Sequence, residues 1–222
     1  MRLVAATTVR QGGHVLANLD HVVLAGPDLA AAVAWFAELT GVEPAPGGRH
    51  EGLGTANHLV DLGGGAYLEI IGPDPEQPEP ERPRPFGIDD VTAPRVVTWA
   101  LGTTDLDALV ADAREAGYDP GEPVAMSRRT ADDQLLTWRL TMPRFDYGDG
   151  LVPFLIDWGA TPHPTSRGLP AAPLLEFSGR HPDPASVRPG LSALGADLHL
   201  DIGELVALTA VVRGADGRAV SL

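Results

Sequence analysis

The feature that most constrains this chain is a repeat: Pro27-Asp28-Leu29 and Thr104-Asp105-Leu106 each follow a β-branched, apolar run and open an amphipathic segment. In the first copy, residues 19–25 read as a buried strand that Gly26-Pro27 breaks. Asp28 stands where a helix N-cap belongs, with Leu29, Val33, Phe36 and Ala37 at helical spacing and Gly41 as the stop. Residues 44–54 read as a loop containing Gly47-Gly48. Strands follow at 55–61 and 66–71, joined by a glycine turn. The second copy repeats this β-α-β-β-β order. It has a strand at 96–101, a helix face of Leu106, Leu109, Val110 and Ala113, and strands near 123–127, 134–141 and 151–158. A third, shorter copy has Asp183 as cap, the stripe Val187, Leu191 and Leu194, and strands at 198–202, 205–212 and 218–222.

Proline-rich stretches separate the copies and read as exposed connectors. The expected division is an extension over 1–18, a module over 19–72, a connector over 73–94, a second module over 95–160, a linker over 161–173 and a third module over 174–222. The third module needs a partner for its apolar face, either the other two modules or its counterpart in a homodimer.

Composition narrows the function. A net charge of −14 argues against nucleic acid or anionic membranes as partners. With no cysteine there is no thiolate ligand or nucleophile, which fits a cytoplasmic protein. No apolar run approaches the roughly 20 residues that span a bilayer, and the start lacks the apolar core of a signal peptide. The fingerprints of nucleotide-binding loops, dinucleotide folds, nucleophile elbows and zinc-protease helices are also missing.

Two strand residues do not suit a core. Alternation puts His21, Val23 and Ala25 on one face of the first strand, and Tyr67, Glu69 and Ile71 on one face of the last. If both faces line one cleft, His21 and Glu69 converge. The opening LDHVVLAGPDL, the run GGRHEGLGTANHLVDLGGGAYLEIIG and the later LVPFLIDWG resemble the vicinal oxygen chelate superfamily, and more narrowly its glyoxalase-like domain proteins. That resemblance implies an α+β fold, with paired βαβββ modules forming a half-open barrel around a cleft and a third shorter βαβββ module at the C-terminus. It also implies a divalent metal (Fe, Mn, Zn or Ni) held by His21 and Glu69, with a mirror pair from the second module. There the pattern departs: Thr98 takes the first position, and Ile156 or Asp157 the last, depending on register.

The function implied is a lyase, isomerase or dioxygenase acting on a small substrate with adjacent oxygens, with Glu69 as an alternative general base. The competing reading is a non-catalytic small-molecule binder. For His21 and Glu69 the plain alternative to a metal site is a hydrogen-bonded polar pair. Arg49 and His50 are candidates for anchoring the substrate at the cleft mouth, against a solvated loop. Asn57 is weighed against a turn-stabilising role, and Tyr67, Trp138 and Trp158 against packing. His58 and Asp157 are further candidate ligands. Asp132-Asp133 and His163 read as solvated.

Overall fold

The computed structural model describes residues 18–130, 134–142 and 147–222, with the backbone of 10–11 and 14–15. Within the expected N-terminal extension, β1 (Arg10–Gln11) and β2 (His14–Val15) pair as a short ribbon; the other residues before Asn18 lie outside the described residues. The first module comprises β3 (Leu19–Ala25), α1 (Leu29–Thr40), β4 (Ala45–His50), β5 (Thr55–Gly63) and β6 (Ala66–Pro73). The second comprises β7 (Arg95–Gly102), α2 (Leu106–Glu115), β8 (Pro123–Arg129), β9 (Leu135–Thr141) and β10 (Phe154–Asp157). The last part holds β11 (Leu174–His181), α3 (Pro184–Ala193), β12 (His199–Ile202), β13 (Ala207–Arg213) and β14 (Ala219–Ser221).

The three predicted caps behave alike. Asp28, Asp105 and Asp183 accept hydrogen bonds from the backbone N–H groups of Ala31, Ala108 and Ala185. Gly41 closes α1 in the left-handed region at φ 70°.

Eight strands form a barrel in the order β10-β7-β3-β6-β5-β4-β8-β9. In each module the first and last strands pair in parallel, β3 with β6 and β7 with β10, and the antiparallel β3–β7 pair joins the modules. The opposite seam is thin: β4 meets β8 through one registered pair, Arg49↔Arg129. Strand β4 occupies part of the stretch expected to be a loop. Its Pro and Gly residues carry little strand propensity, but its backbone is paired to β5 across a bulge between Pro46 and Gly48.

Strand alternation creates two cores. Val22, Leu24, Leu68 and Ile70 face outward to the helices, while Val23, Ala25, Ile71, Val97 and Ala100 face the barrel interior. The smaller sheet, ordered β12-β11-β13-β14, packs on the outer core. Phe177 of β11 meets Trp99 of β7 edge-on at 5.4 Å, and the Trp99 indole N–H donates to the Leu151 carbonyl at 2.9 Å. The module packs against the main barrel, one of the two partners expected for it. Its element order matches the other modules, but its pairing does not: the helix returns the chain directly to a parallel neighbour of the first strand.

Candidate functional site

A cavity inside the barrel is lined by residues from both modules and from the first connector. It holds about 530 Å³ of non-atom space, counting the part open to solvent. The expected facing of β3 and β6 holds, since His21, Tyr67, Glu69 and Ile71 all line it. Strands β4 and β5 contribute His50 and Asn57, and β8 and β9 contribute Arg128 and Trp138. Phe154, Ile156 and Trp158 come from the end of the second module.

Glu69 is central to the polar wall. Its Oε2 lies 3.9 Å from His21 Nε2 and its Oε1 lies 3.8 Å from His50 Nε2. Asn57 Nδ2 donates to Glu69 Oε1 at 2.5 Å, and Arg128 Nη1 donates to Asn57 Oδ1 at 2.8 Å. Each imidazole has its other nitrogen engaged. His21 Nδ1 pairs with Asp20 Oδ1 at 2.6 Å, and His50 Nδ1 with Thr55 Oγ1 at 3.1 Å. Such a partner fixes ring orientation and turns Nε2 to the cavity side. Tyr67 stacks on His21 at 4.7 Å, and Phe154 meets the same ring edge-on at 5.4 Å.

The electrostatics follow from burial and neighbours. Burial alone would raise the Asp20 carboxyl, but hydrogen bonds from His163 and His21 hold it at about 2. His50 is lowered to about 4 by burial, against the pull of Glu69, so its imidazole is neutral near pH 7. Burial, then the Asp20 and Glu69 charges, raise the Tyr67 phenol well above its usual value. Burial also lowers the Arg128 guanidinium.

Other sequence candidates are placed elsewhere. Arg49 is off the cavity wall, half-exposed and paired with Asp74 and Glu76. His58 is also off the wall, with burial lowering its pKa and Glu43 opposing this. Asp157 accepts from the Gly159 backbone and does not line the cavity. Asp132 and Asp133 lie outside the described residues. His163, read as solvated, instead bonds Asp20 through Nε2 at 3.3 Å and packs edge-on against Tyr67. It shares Asp20 Oδ2 with the Trp158 indole N–H, at 3.1 Å.

Sequence reasoning passed over four contributors. Asp20 sits beside His21, and that adjacency was the available signal. Arg128 lies in the polar run Ser127-Arg128-Arg129-Thr130, which reads as surface. Phe86, in a connector expected to be exposed, stacks on Phe154 at 5.7 Å and lines the cavity. Phe154 itself is revealed by register: β3 Val23 faces Glu69, and in the second module Ala100 faces Phe154. Because Val23 pairs Thr98 and His21 pairs Ala100 across the module junction, Thr98 mirrors His21 and Phe154 mirrors Glu69.

The four mirror positions therefore hold His21, Glu69, Thr98 and Phe154, and a phenyl ring cannot ligate a metal. The Thr98 hydroxyl is buried without a hydrogen-bond partner among the described residues. Among those residues no cluster of three or more His, Asp or Glu side chains is arranged to hold a metal ion. A four-ligand centre does not fit this cleft.

The family model described as glyoxalase-like domain matches residues 19–195. No curated protein matches the chain. Among solved structures, a hypothetical protein from Staphylococcus aureus shares the fold with a TM-score of 0.61 at 13% identity, covering 91% of this chain and 97% of its own. Methylmalonyl-CoA epimerase from Mycobacterium tuberculosis matches at 20% identity and a TM-score of 0.41, over 64% of this chain and 88% of its own. The Streptomyces coelicolor epimerase in complex with 2-nitronate-propionyl-CoA matches at 22% and 0.44, over 66% and 99%. Among the described residues no helix is long and apolar enough to cross a membrane.

Proposed function

This chain belongs to the glyoxalase-like domain family of the vicinal oxygen chelate superfamily, and from that premise we propose that it is a proton-transfer enzyme of the isomerase or lyase type. Its substrate would be a small carbonyl compound with an acidic neighbouring C–H. The observation that carries this reading is the convergence of the His21 and His50 Nε2 atoms on Glu69, each within 4 Å, inside a largely apolar cavity. Two groups able to take and return a proton beside one substrate carbon are what such a reaction needs.

The roles follow from the contacts. Asp20 fixes the His21 tautomer with the proton on Nδ1, leaving the Nε2 lone pair to accept a proton. Glu69 is the second proton carrier, oriented by the Asn57 amide at 2.5 Å. Neutral His50 can donate from Nε2 only if Nδ1 accepts from the Thr55 hydroxyl, and that tautomer suits stabilisation of a developing enolate. Phe86, Phe154, Ile156 and Trp158 would surround the reacting carbon with apolar surface.

The test is transfer of deuterium from D₂O into a panel of small ketones, hydroxyketones and thioesters, read by NMR. Exchange catalysed by wild type and lost in His21→Ala supports the reading. Tight binding with no exchange favours the sequestering alternative, for which the close Trp138–Trp158 pair, 5.2 Å apart, is the supporting feature.

A further inference from the structure

The cavity wall carries more hydrogen-bond donors than its own acceptors use. Arg128 is 3% exposed, and its one hydrogen bond to the described residues goes to a neutral amide, Asn57 Oδ1. No carboxylate among the described residues lies within ion-pair distance of it, and its Nε is buried without a partner. The indole Nε1 of Trp138 is likewise buried and unpartnered among the described residues. The two side chains are diagonal neighbours, since Met126 faces Trp138 and Arg128 faces Leu136 across the β8–β9 pair. Both line the cavity.

A buried cation without a counter-charge is unfavourable in a low-dielectric interior, and a guanidinium fork matches a planar carboxylate. The Glu69 charge reaches Arg128 only through space and does not outweigh burial, because Asn57 stands between, donating to Glu69 and accepting from Arg128. From these contacts we infer that the cavity takes a small organic carboxylate with a flat apolar body, whose carboxylate is received by Arg128 and the Trp138 N–H. The body lies among Phe86, Leu140, Phe154 and Trp158. This assignment rests on the proposed proton-transfer site and adds its substrate class. The Asn57 bridge sets the carboxylate and the proton-moving Glu69 a few bonds apart, so the reacting carbon sits close to the substrate's acid group.

The geometry of β4 serves the same pair. A Cβ on Gly47 would collide with Asn57 Oδ1 and come within 2.6 Å of Arg128 Nη1, so this position must be glycine for the bridge to exist.

The test is equilibrium binding followed by tryptophan fluorescence, with benzoate and phenylacetate as probes beside their neutral amides. Wild type is expected to favour each acid over its amide by roughly 10- to 100-fold. In Arg128→Gln, checked for folding by circular dichroism, that preference falls to about parity, whereas Arg49→Gln, off the cavity wall, keeps it. Equal binding of acid and amide by wild type overturns the assignment without need of any variant. So does no acid binding at millimolar concentration, or inorganic phosphate competing as well as the acids. Acid preference without deuterium exchange, either into the carbonyl panel or into 2-oxo acids, leaves the carboxylate site standing and removes the proton-transfer reading. Exchange on neutral carbonyls without acid preference does the reverse.

Discussion

His21 on the first strand and Glu69 on the last strand of the first module face each other across 3.9 Å, each anchored by a different neighbour, Asp20 and Asn57. The parallel β3–β6 pairing sets this separation, because Glu69 sits beside Val23, one inward-facing position along from His21. Their mirror positions hold Thr98 and Phe154, so only the first module fills this pair of positions with ionisable side chains.

Asp20 should make the fold acid-sensitive. Its carboxyl titrates at about 2 in the native state against an ordinary 3.8, so the native protein binds fewer protons than the unfolded chain. The resulting stabilisation, on the order of 2 kcal/mol, is complete above pH 3.8 and disappears as pH falls through 2. Urea unfolding from pH 5 to pH 2 should show Asp20→Asn less stable at the upper end and the gap closing at the lower.

His50 adds a second acid-sensitive window. Its native value of about 4 lies below the ordinary 6.5, so its contribution is present above pH 6.5 and is lost as pH falls toward 4. NMR titration of the ring should find it neutral at pH 6, and His50→Gln should flatten the stability profile between pH 6.5 and pH 4.

Gly47→Ala should damage the site more than the fold. The added methyl displaces Asn57 or Arg128. The expected outcome is loss of acid-over-amide binding preference with far-UV circular dichroism unchanged.

Phe177→Ala should loosen the smaller sheet from the barrel. Phe177 is 2% exposed against Trp99, and removing a buried phenyl ring costs about 3–5 kcal/mol. Thermal unfolding should shift down strongly, and Trp99 fluorescence should report the exposed junction.

Much of this was legible in the sequence where local chemistry and periodicity agree. The three aspartate caps, the β-α registers and the inward faces of β3 and β6 follow from residue types at fixed spacings. Strand β4 was not legible, because Pro46, Gly47 and Gly48 give no strand signal and pairing with β5 alone defines it. Phe154 was hidden because β10 has only four residues, too few for alternation to settle its register. Arg128 and Phe86 were hidden because a polar run and a proline-rich connector look solvated until tertiary contacts turn them inward. Arg49 shows the converse: adjacent to His50, it faces the other way and spends its charge on Asp74 and Glu76.

The most direct test of the central claim is solvent deuterium exchange into the best substrate of the carbonyl panel, before and after exhaustive chelation, with Glu69→Gln alongside. Proton transfer by the chain's own residues predicts an unchanged rate after chelation and a fall of about 10²- to 10⁴-fold in Glu69→Gln. Exchange that vanishes on chelation and returns with a divalent ion, or that survives Glu69→Gln intact, would contradict it.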